Sequence, residues 1–207
     1  MPAKTKVLIA DDHALIRMGI RLLISSQKDL ELVAEVKDGE AAVEAVAKHC
    51  PDVVVLDLQM PKLDGVGATE KIRQDFPETK VVLLTSHITS DGISHALDKG
   101  AIGAILKSET ETALISAIRL AKEGKSYISA EIESQIKNDP PVKDLSPRQV
   151  EILECLNRGL NNNEIGETLG IERLTVKTHL QILFQKLGAA NRSEAVAIAL
   201  RKQLIKS

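Results

Sequence analysis

The 207-residue sequence has no tryptophan, one tyrosine (Tyr127) and two phenylalanines (Phe76 and Phe184). So few rings exclude the stacking platforms on which RNA-recognition sheets and single-strand-binding folds lay bases, so a nucleic acid bound by this chain is a duplex. Cysteine is almost as scarce. Cys50 and Cys155 fit neither a disulfide framework nor a metal-ligand spacing, and both are expected to be buried or inert. Long hydrophobic runs are also missing: the longest, Ala195–Leu200, falls far short of the roughly 20 residues that span a bilayer, and no membrane partner is expected. The opening MPAKTK runs straight into Val7-Leu-Ile-Ala10 without the apolar core of a signal peptide, and the expectation is a cytoplasmic protein.

What remains is ordinary globular composition, 43% hydrophobic and 27% charged, which excludes disorder or coiled coil as a description of the whole chain. The length suits one large domain or two small ones. The net charge of −2 hides an asymmetry that favours two. Residues 1–141 carry 17 Lys and Arg against 22 Asp and Glu, net −5, whereas residues 142–207 carry 10 against 7, net +3. An acidic half joined to a mildly basic half implies different partners for each.

Through residue 124, short apolar and β-branched runs alternate with amphipathic stretches: Val7–Ala10, Leu32–Ala34, Val53–Leu56, Val81–Leu84 and Ala104–Leu106. Continuous apolar character means burial on both faces, as in parallel strands. The reading is an α/β fold, a (βα)5 doubly wound parallel sheet over residues 1–124. Its last helix shows a capping box at Ser108-Glu-Thr-Glu111, apolar positions Leu114, Ala117, Ile118 and Ala121, and a glycine stop at Gly124. Residues 125–144 lose this pattern apart from a short helix near 130–137, and Pro140-Pro141 stiffens the chain, so the segment reads as a linker. Residues 145–207 then form an all-α domain of four capped helical segments, in which two short helices joined by a tight glycine-containing turn describe a helix-turn-helix.

In a parallel α/β sheet, ligands sit at the carboxyl ends of the strands. Asp11 and Asp12 follow the first run, Asp57 ends the third, Thr85 the fourth and Lys107 the fifth, so all five converge on one rim. Crowded carboxylates raise one another's proton affinity unless a hard cation such as Mg²⁺ neutralises them. A lysine opposite adds a point charge suited to an anion, and the rim is read as a site for a metal and a phosphoryl group.

These residues carry a resemblance. Asp11-Asp12, Val53-Val-Val-Leu-Asp57-Leu-Gln-Met-Pro61 with Asp64-Gly65, Thr85-Ser86 and Lys107 resemble the receiver domain of bacterial two-component response regulators, over residues 5–124. The resemblance implies that Asp57 accepts phosphate from a sensor histidine kinase, that Asp11, Asp12, Asp57 and the carbonyl of Gln59 hold Mg²⁺, that Lys107 pairs with the phosphoryl group, and that Thr85 moves to bond it. Gln59 and His87 stand where the family tunes phosphate hydrolysis. The sequence departs from the family at Ala104, where an aromatic residue usually reports the threonine movement.

A second resemblance covers residues 142–205. Leu145-Ser-Pro-Arg-Gln149, Gly159-Leu-Asn-Asn-Asn-Glu-Ile165, Leu169-Gly-Ile171, Thr175-Val-Lys-Thr-His179, Lys186-Leu-Gly188 and Asn191-Arg-Ser-Glu-Ala-Val196 are similar to the LuxR/NarL type of DNA-binding domain. On the helix near 172–187, Val176, Leu180, Leu183 and Leu187 form a core stripe at about 100° per residue, with polar residues opposite. The resemblance implies that Lys177, Thr178 and Gln181, together with Asn162 and Asn163 on the preceding helix, meet base edges or phosphates. It also implies that the last helix pairs two protomers on a two-fold operator. The family usually has lysine at Asn163 and alanine at Gly166, where glycine costs roughly 0.5–1 kcal/mol of helix stability.

The reading reached is a phosphorylation-controlled transcription regulator rather than an enzyme. Two alternatives stay open. One is a regulator whose receiver serves only for dimerisation and docking, a reading kept alive by Ala104. The other is a Mg²⁺-dependent phosphohydrolase that forms an aspartyl-phosphate; such enzymes place nucleophile and acid two residues apart, whereas Asp11 and Asp12 are adjacent and Ala14 holds the second position after Asp12.

Overall fold

A computed structural model of the chain describes residues 3–86, 90–139, 141–142, 145–202 and 204–205. It divides into two compact units that meet in sequence at Pro140 and Pro141.

The first unit is built on parallel strands β1 (Thr5–Ala10), β2 (Leu30–Val36), β3 (Val53–Asp57), β4 (Lys80–Thr85), β5 (Gly103–Leu106) and β6 (Tyr127–Ile128), in the order β2-β1-β3-β4-β5-β6. Its helices are α1 (Ala14–Ser25), α2 (Gly39–His49), α3 (Gly65–Asp75), α4 (Ser90–Asp98), α5 (Glu111–Lys122) and α6 (Ala130–Asn138). Alternation along the strands splits the core in two. Val7, Ile9, Val53, Val55, Val82, Leu84 and Ile105 pack against Ile20 and Ile24 of α1 and Leu114 and Ile118 of α5. Their neighbours Leu8, Val54, Leu56, Val81, Leu83 and Ala104 face Val46 of α2, Ile72 of α3, Ile93 of α4 and Ile132 of α6. Helices on both faces are why the strands read as continuous apolar runs.

Three local readings change. The sheet has six strands, not five: Gly103 pairs with Tyr127 and Ala104 with Ile128, so backbone pairing along the open edge of β5 makes a strand too short to show any periodicity. The segment read as a linker is thereby largely built into the first unit, because α6 buries Ile132 completely and is capped by Ser129, which accepts from the Ile132 N–H. Finally, α5 is capped by Thr110, whose side chain accepts from Ala113, and not by a box at Ser108. A turn closed by the Glu109 N–H on the Leu106 carbonyl occupies residues 106–109, so helical geometry begins two residues later. Cys155 is buried, but Cys50 is exposed at the end of α2.

The second unit comprises α7 (Pro147–Asn157), α8 (Asn162–Leu169), α9 (Arg173–Leu187) and α10 (Arg192–Arg201). Capping boxes at Ser146/Gln149 and Asn161/Glu164 start α7 and α8. One core joins Ile152, Leu153 and Leu156 of α7, Ile165 of α8, Val176, Leu180, Leu183 and Leu187 of α9, and Ala195 and Ala199 of α10. Gly166, read from sequence as a helix weakness, has a tertiary reason: a Cβ there would lie 2.7 Å from the Ile171 carbonyl oxygen. The α8–α9 turn folds that tightly because the Ile171 N–H donates to the Gly166 carbonyl at 2.9 Å.

Candidate functional site: an acidic rim and a helix-turn-helix face

Strands β1, β3, β4 and β5 end together, and the register sets what they present. Leu84 lies beside Asp57 and Thr85 beside Leu106, so Thr85 and Lys107 reach the rim one step past Asp57. The Lys107 N–H donates to the Thr85 carbonyl at 2.9 Å, which fixes the lysine stem at the strand end. Its ammonium bridges two buried carboxylates, 2.7 Å from Asp11 Oδ2 and 2.8 Å from Asp57 Oδ2. Asp12 is more open, with its side chain 39% exposed. The expected residues Asp11, Asp12, Asp57 and Lys107 are therefore brought together, with buried Thr85 on the adjacent strand end. Gln59 lies just beyond, its N–H 3.4 Å from Asp57 Oδ1. His87 lies outside the described residues.

Charge balance at the rim is unequal. Burial pushes the Asp57 carboxyl above its ordinary pKa; hydrogen bonding and charge from Lys107 pull it down only in part, and the Asp11 charge adds to the rise. Burial would lower Lys107, but its bonds to Asp11 and Asp57 outweigh that and hold the ammonium above its ordinary pKa. Asp11 Oδ2 is buried and faces the Lys107 ammonium at 2.7 Å. Several carboxylate oxygens crowded at one strand end suit a hard cation. Asp11, Asp12, His13 and Asp57 each offer one ligand atom, all within 4.8 Å of one another. His13 was missed by sequence reasoning. Its Nδ1 sits 2.7 Å from Asp12 Oδ1 and 3.2 Å from Asp11 Oδ1, and its place directly after the Asp pair was the available signal.

The loop after Asp57 is held in two ways. Gly65 begins α3 directly against the strand end, where a Cβ would lie 2.4 Å from the Asp57 carbonyl oxygen. Lys62, in the left-handed region at φ 65°, places Nζ 2.9 Å from Asp38 Oδ2. Asp38 also caps α2 through the Ala41 N–H, and that backbone bond followed by the Lys62 bond holds its carboxyl below the ordinary range. This pair spans 24 positions of sequence and had no motif to announce it.

In the second unit, Lys177, Thr178 and Gln181 are exposed on α9, opposite the buried stripe, and Asn163 is exposed and Asn162 half-buried at the start of α8. Lys186 Nζ donates to Gln149 Oε1 at 3.0 Å, and Arg192 donates to the Leu160 carbonyl, so α9 is fastened to α7 and α10 to the turn before α8. Glu172 stands at the N-cap of α9, exposed and without a capping hydrogen bond from its side chain, and no further glutamate or aspartate follows in the first turn.

A parallel sheet with a lysine-bridged acidic rim, joined to a helix-turn-helix unit, defines the class: a two-domain signalling regulator. Comparison with known proteins agrees. Residues 7–119 match the family model described as response regulator receiver domain, and residues 143–199 match that of bacterial regulatory proteins of the luxR family. The oxygen regulatory protein NreC of Staphylococcus epidermidis is 36% identical over 97% of this chain and 99% of its own. Among solved structures, the response regulator ChrA of a heme-sensing two-component system is 35% identical, with a TM-score of 0.59 over 98% of this chain and 100% of that one. RcsB of Salmonella enterica serovar Typhimurium, solved on a promoter with the phosphomimetic BeF3−, is 26% identical, with a TM-score of 0.70 over 94% of this chain and 97% of that one. The chain belongs to the two-component response regulators that carry a receiver and a LuxR-type DNA-binding domain. Among the described residues no helix is long and apolar enough to cross a membrane.

Proposed function

We propose that Asp57 accepts a phosphoryl group from a sensor histidine kinase, and that the charged receiver then controls binding of promoter DNA by the second unit. The observation that carries this reading is the Lys107 ammonium bridging buried Asp11 and Asp57 at the carboxyl end of the sheet. A lysine already held by two carboxylates is placed to neutralise a third anionic group arriving at Asp57. An Asp57 carboxylate oxygen forms the new P–O bond as the P–N bond of phosphohistidine breaks, and the departing imidazole nitrogen takes up a proton. Asp11, Asp12 and Asp57, with the Gln59 carbonyl, would hold Mg²⁺, and carboxylate ligand atoms lying within 4.8 Å of one another support that fit. Bound there, the ion supplies charge neutralisation to the transferring group. The Thr85 hydroxyl is the donor drawn to the new phosphoryl oxygens.

The acyl phosphate carries nearly two negative charges where one carboxylate stood. In the second unit, Lys177, Thr178 and Gln181 of α9, with Asn162 and Asn163 of α8, would contact a major groove and its phosphates as a homodimer on a two-fold operator. In this role the chain works in the cytoplasm, beside the kinase and the DNA. The receiver expected over 1–124 carries β6 and α6 with it as far as Pro140, which shortens the connecting segment expected over 125–144, and the DNA-binding domain expected over 145–207 follows.

Genome-wide footprinting of the wild type beside Asp57→Ala tests the proposal and reports targets and phosphate dependence together. The expected result is loss of inducible occupancy in the variant. One observation favours a second reading, a receiver that only docks and dimerises: Ala104 offers no ring to transmit the Thr85 movement and is fully buried. Equal DNA affinity with and without acetyl phosphate and Mg²⁺ would select it.

A further inference from the structure

The outward face of α9 carries an apolar residue that no core uses. Leu174 is the second residue of the helix and is 72% exposed. At about 100° per residue it lies opposite the Val176, Leu180, Leu183 and Leu187 stripe, and Thr178, Gln181 and Gln185 follow it along the same face. Thr178 does not offer its full polarity there. Its Oγ1 donates to the Leu174 carbonyl at 3.1 Å, so the one hydroxyl proton is committed to the helix backbone. The first two turns of α9 therefore present a leucine and a threonine stripped of its donor, flanked by exposed Arg173, Lys177 and Gln181.

Residues near the N-terminus of a recognition helix are those that reach base edges. Among the groups lining the major groove, only one matches an apolar step of this kind: the C5 methyl of thymine. The flanking cations and amide suit the phosphates and polar base edges beside it.

We propose that Leu174, backed by Thr178, reads a thymine methyl in the major groove and thereby sets a T·A preference at one position of each half-site. This rests on the DNA-binding role assigned above to α9. Leucine at this position adds specificity without adding charge. It changes which duplex is preferred, whereas Lys177 changes how tightly any duplex is held.

The test uses the full chain, phosphorylated with acetyl phosphate and Mg²⁺, and a duplex selected by it from a randomised pool. Each thymine of that duplex is then replaced in turn by deoxyuridine, which lacks only the methyl. Wild type is expected to lose affinity about fourfold at one symmetry-related position per half-site, the equivalent of the ~0.8 kcal/mol gained when one methyl-sized group leaves water. Leu174→Ala, an exposed change that keeps a good helix former, is expected to bind the thymine duplex about fourfold more weakly and to ignore the deoxyuridine change. Leu174→Met is expected to restore the discrimination, which a merely structural role would not do. Wild-type tolerance of deoxyuridine at every position, or full methyl sensitivity in Leu174→Ala, overturns the methyl contact while leaving DNA binding intact. Failure of the wild-type chain to select any duplex overturns the DNA-binding role itself, and this inference with it.

Discussion

Replacing Lys107 by methionine keeps the aliphatic stem and removes the ammonium that faces both Asp11 and Asp57. Those side chains are 1% and 4% exposed, so the change leaves two carboxylates buried without a counter-charge. Removing one partner from a buried ion pair costs about 3–5 kcal/mol. The low end applies because the rim opens to solvent through Asp12, which is 39% exposed. For a unit of this size about 3 kcal/mol lowers the melting temperature by roughly 10 °C. The absence of tryptophan provides a clean probe, because the single tyrosine, Tyr127, stands in the first unit and its fluorescence follows that unit's unfolding. The deficit should depend on pH. Without the ammonium, Asp57 loses the bond and charge that pull its pKa down, so burial raises the carboxyl further. A raised carboxyl pKa means that the native state takes up protons the unfolded chain does not, so the variant regains stability as the pH falls from about 7 towards the ordinary carboxylate range near 4. Mg²⁺ supplies a substitute cation, and at a hundredfold its dissociation constant it returns about 2.7 kcal/mol. Melting within about 2 °C of wild type in EDTA, or a deficit unchanged between those pH values, would refute the view that Lys107 neutralises a buried pair of carboxylates.

Two further outcomes follow from the packing. Gly166→Ala is expected to destabilise the second unit by about 1–3 kcal/mol instead of strengthening α8, because the added Cβ meets the Ile171 carbonyl oxygen at 2.7 Å; chemical denaturation of the variant checks the sign. Ala104→Phe is expected to expel α6 from the sheet edge, since Ala104 is fully buried in the same core as Ile132 and its carbonyl accepts the Ser129 N–H at 3.1 Å. Hydrogen exchange would then accelerate across 130–138 while β1 and β3 stay protected, and unchanged protection there would show that the ring is accommodated elsewhere.

The rim was legible because strand polarity does most of the placing. Once Val53–Leu56 and its counterparts read as parallel strands, Asp11, Asp12, Asp57, Thr85 and Lys107 fall at one end whatever the loops do. The stripe of Val176, Leu180, Leu183 and Leu187 was equally plain, since helical period and burial coincide. Other features had no local trace. The strand at Tyr127–Ile128 exists only because β5 leaves an open edge, and the cap of α5 moved from Ser108 to Thr110 because the turn that positions Lys107 claims the residues before it.

The sequence by itself determined the order of the first five strands and their helices, the presence of two units and the chemistry gathered at the strand ends, because hydrophobic period and residue type are local properties that survive in a one-dimensional string. The tertiary structure alone decided how that chemistry is balanced. Whether Lys107 serves Asp11, Asp57 or both, whether Asp38 reaches Lys62, and whether Gly166 is a weakness or a requirement all depend on atoms brought within about 3 Å from distant parts of the chain. Electrostatic and steric energies change steeply over that range, whereas sequence separation says nothing about it.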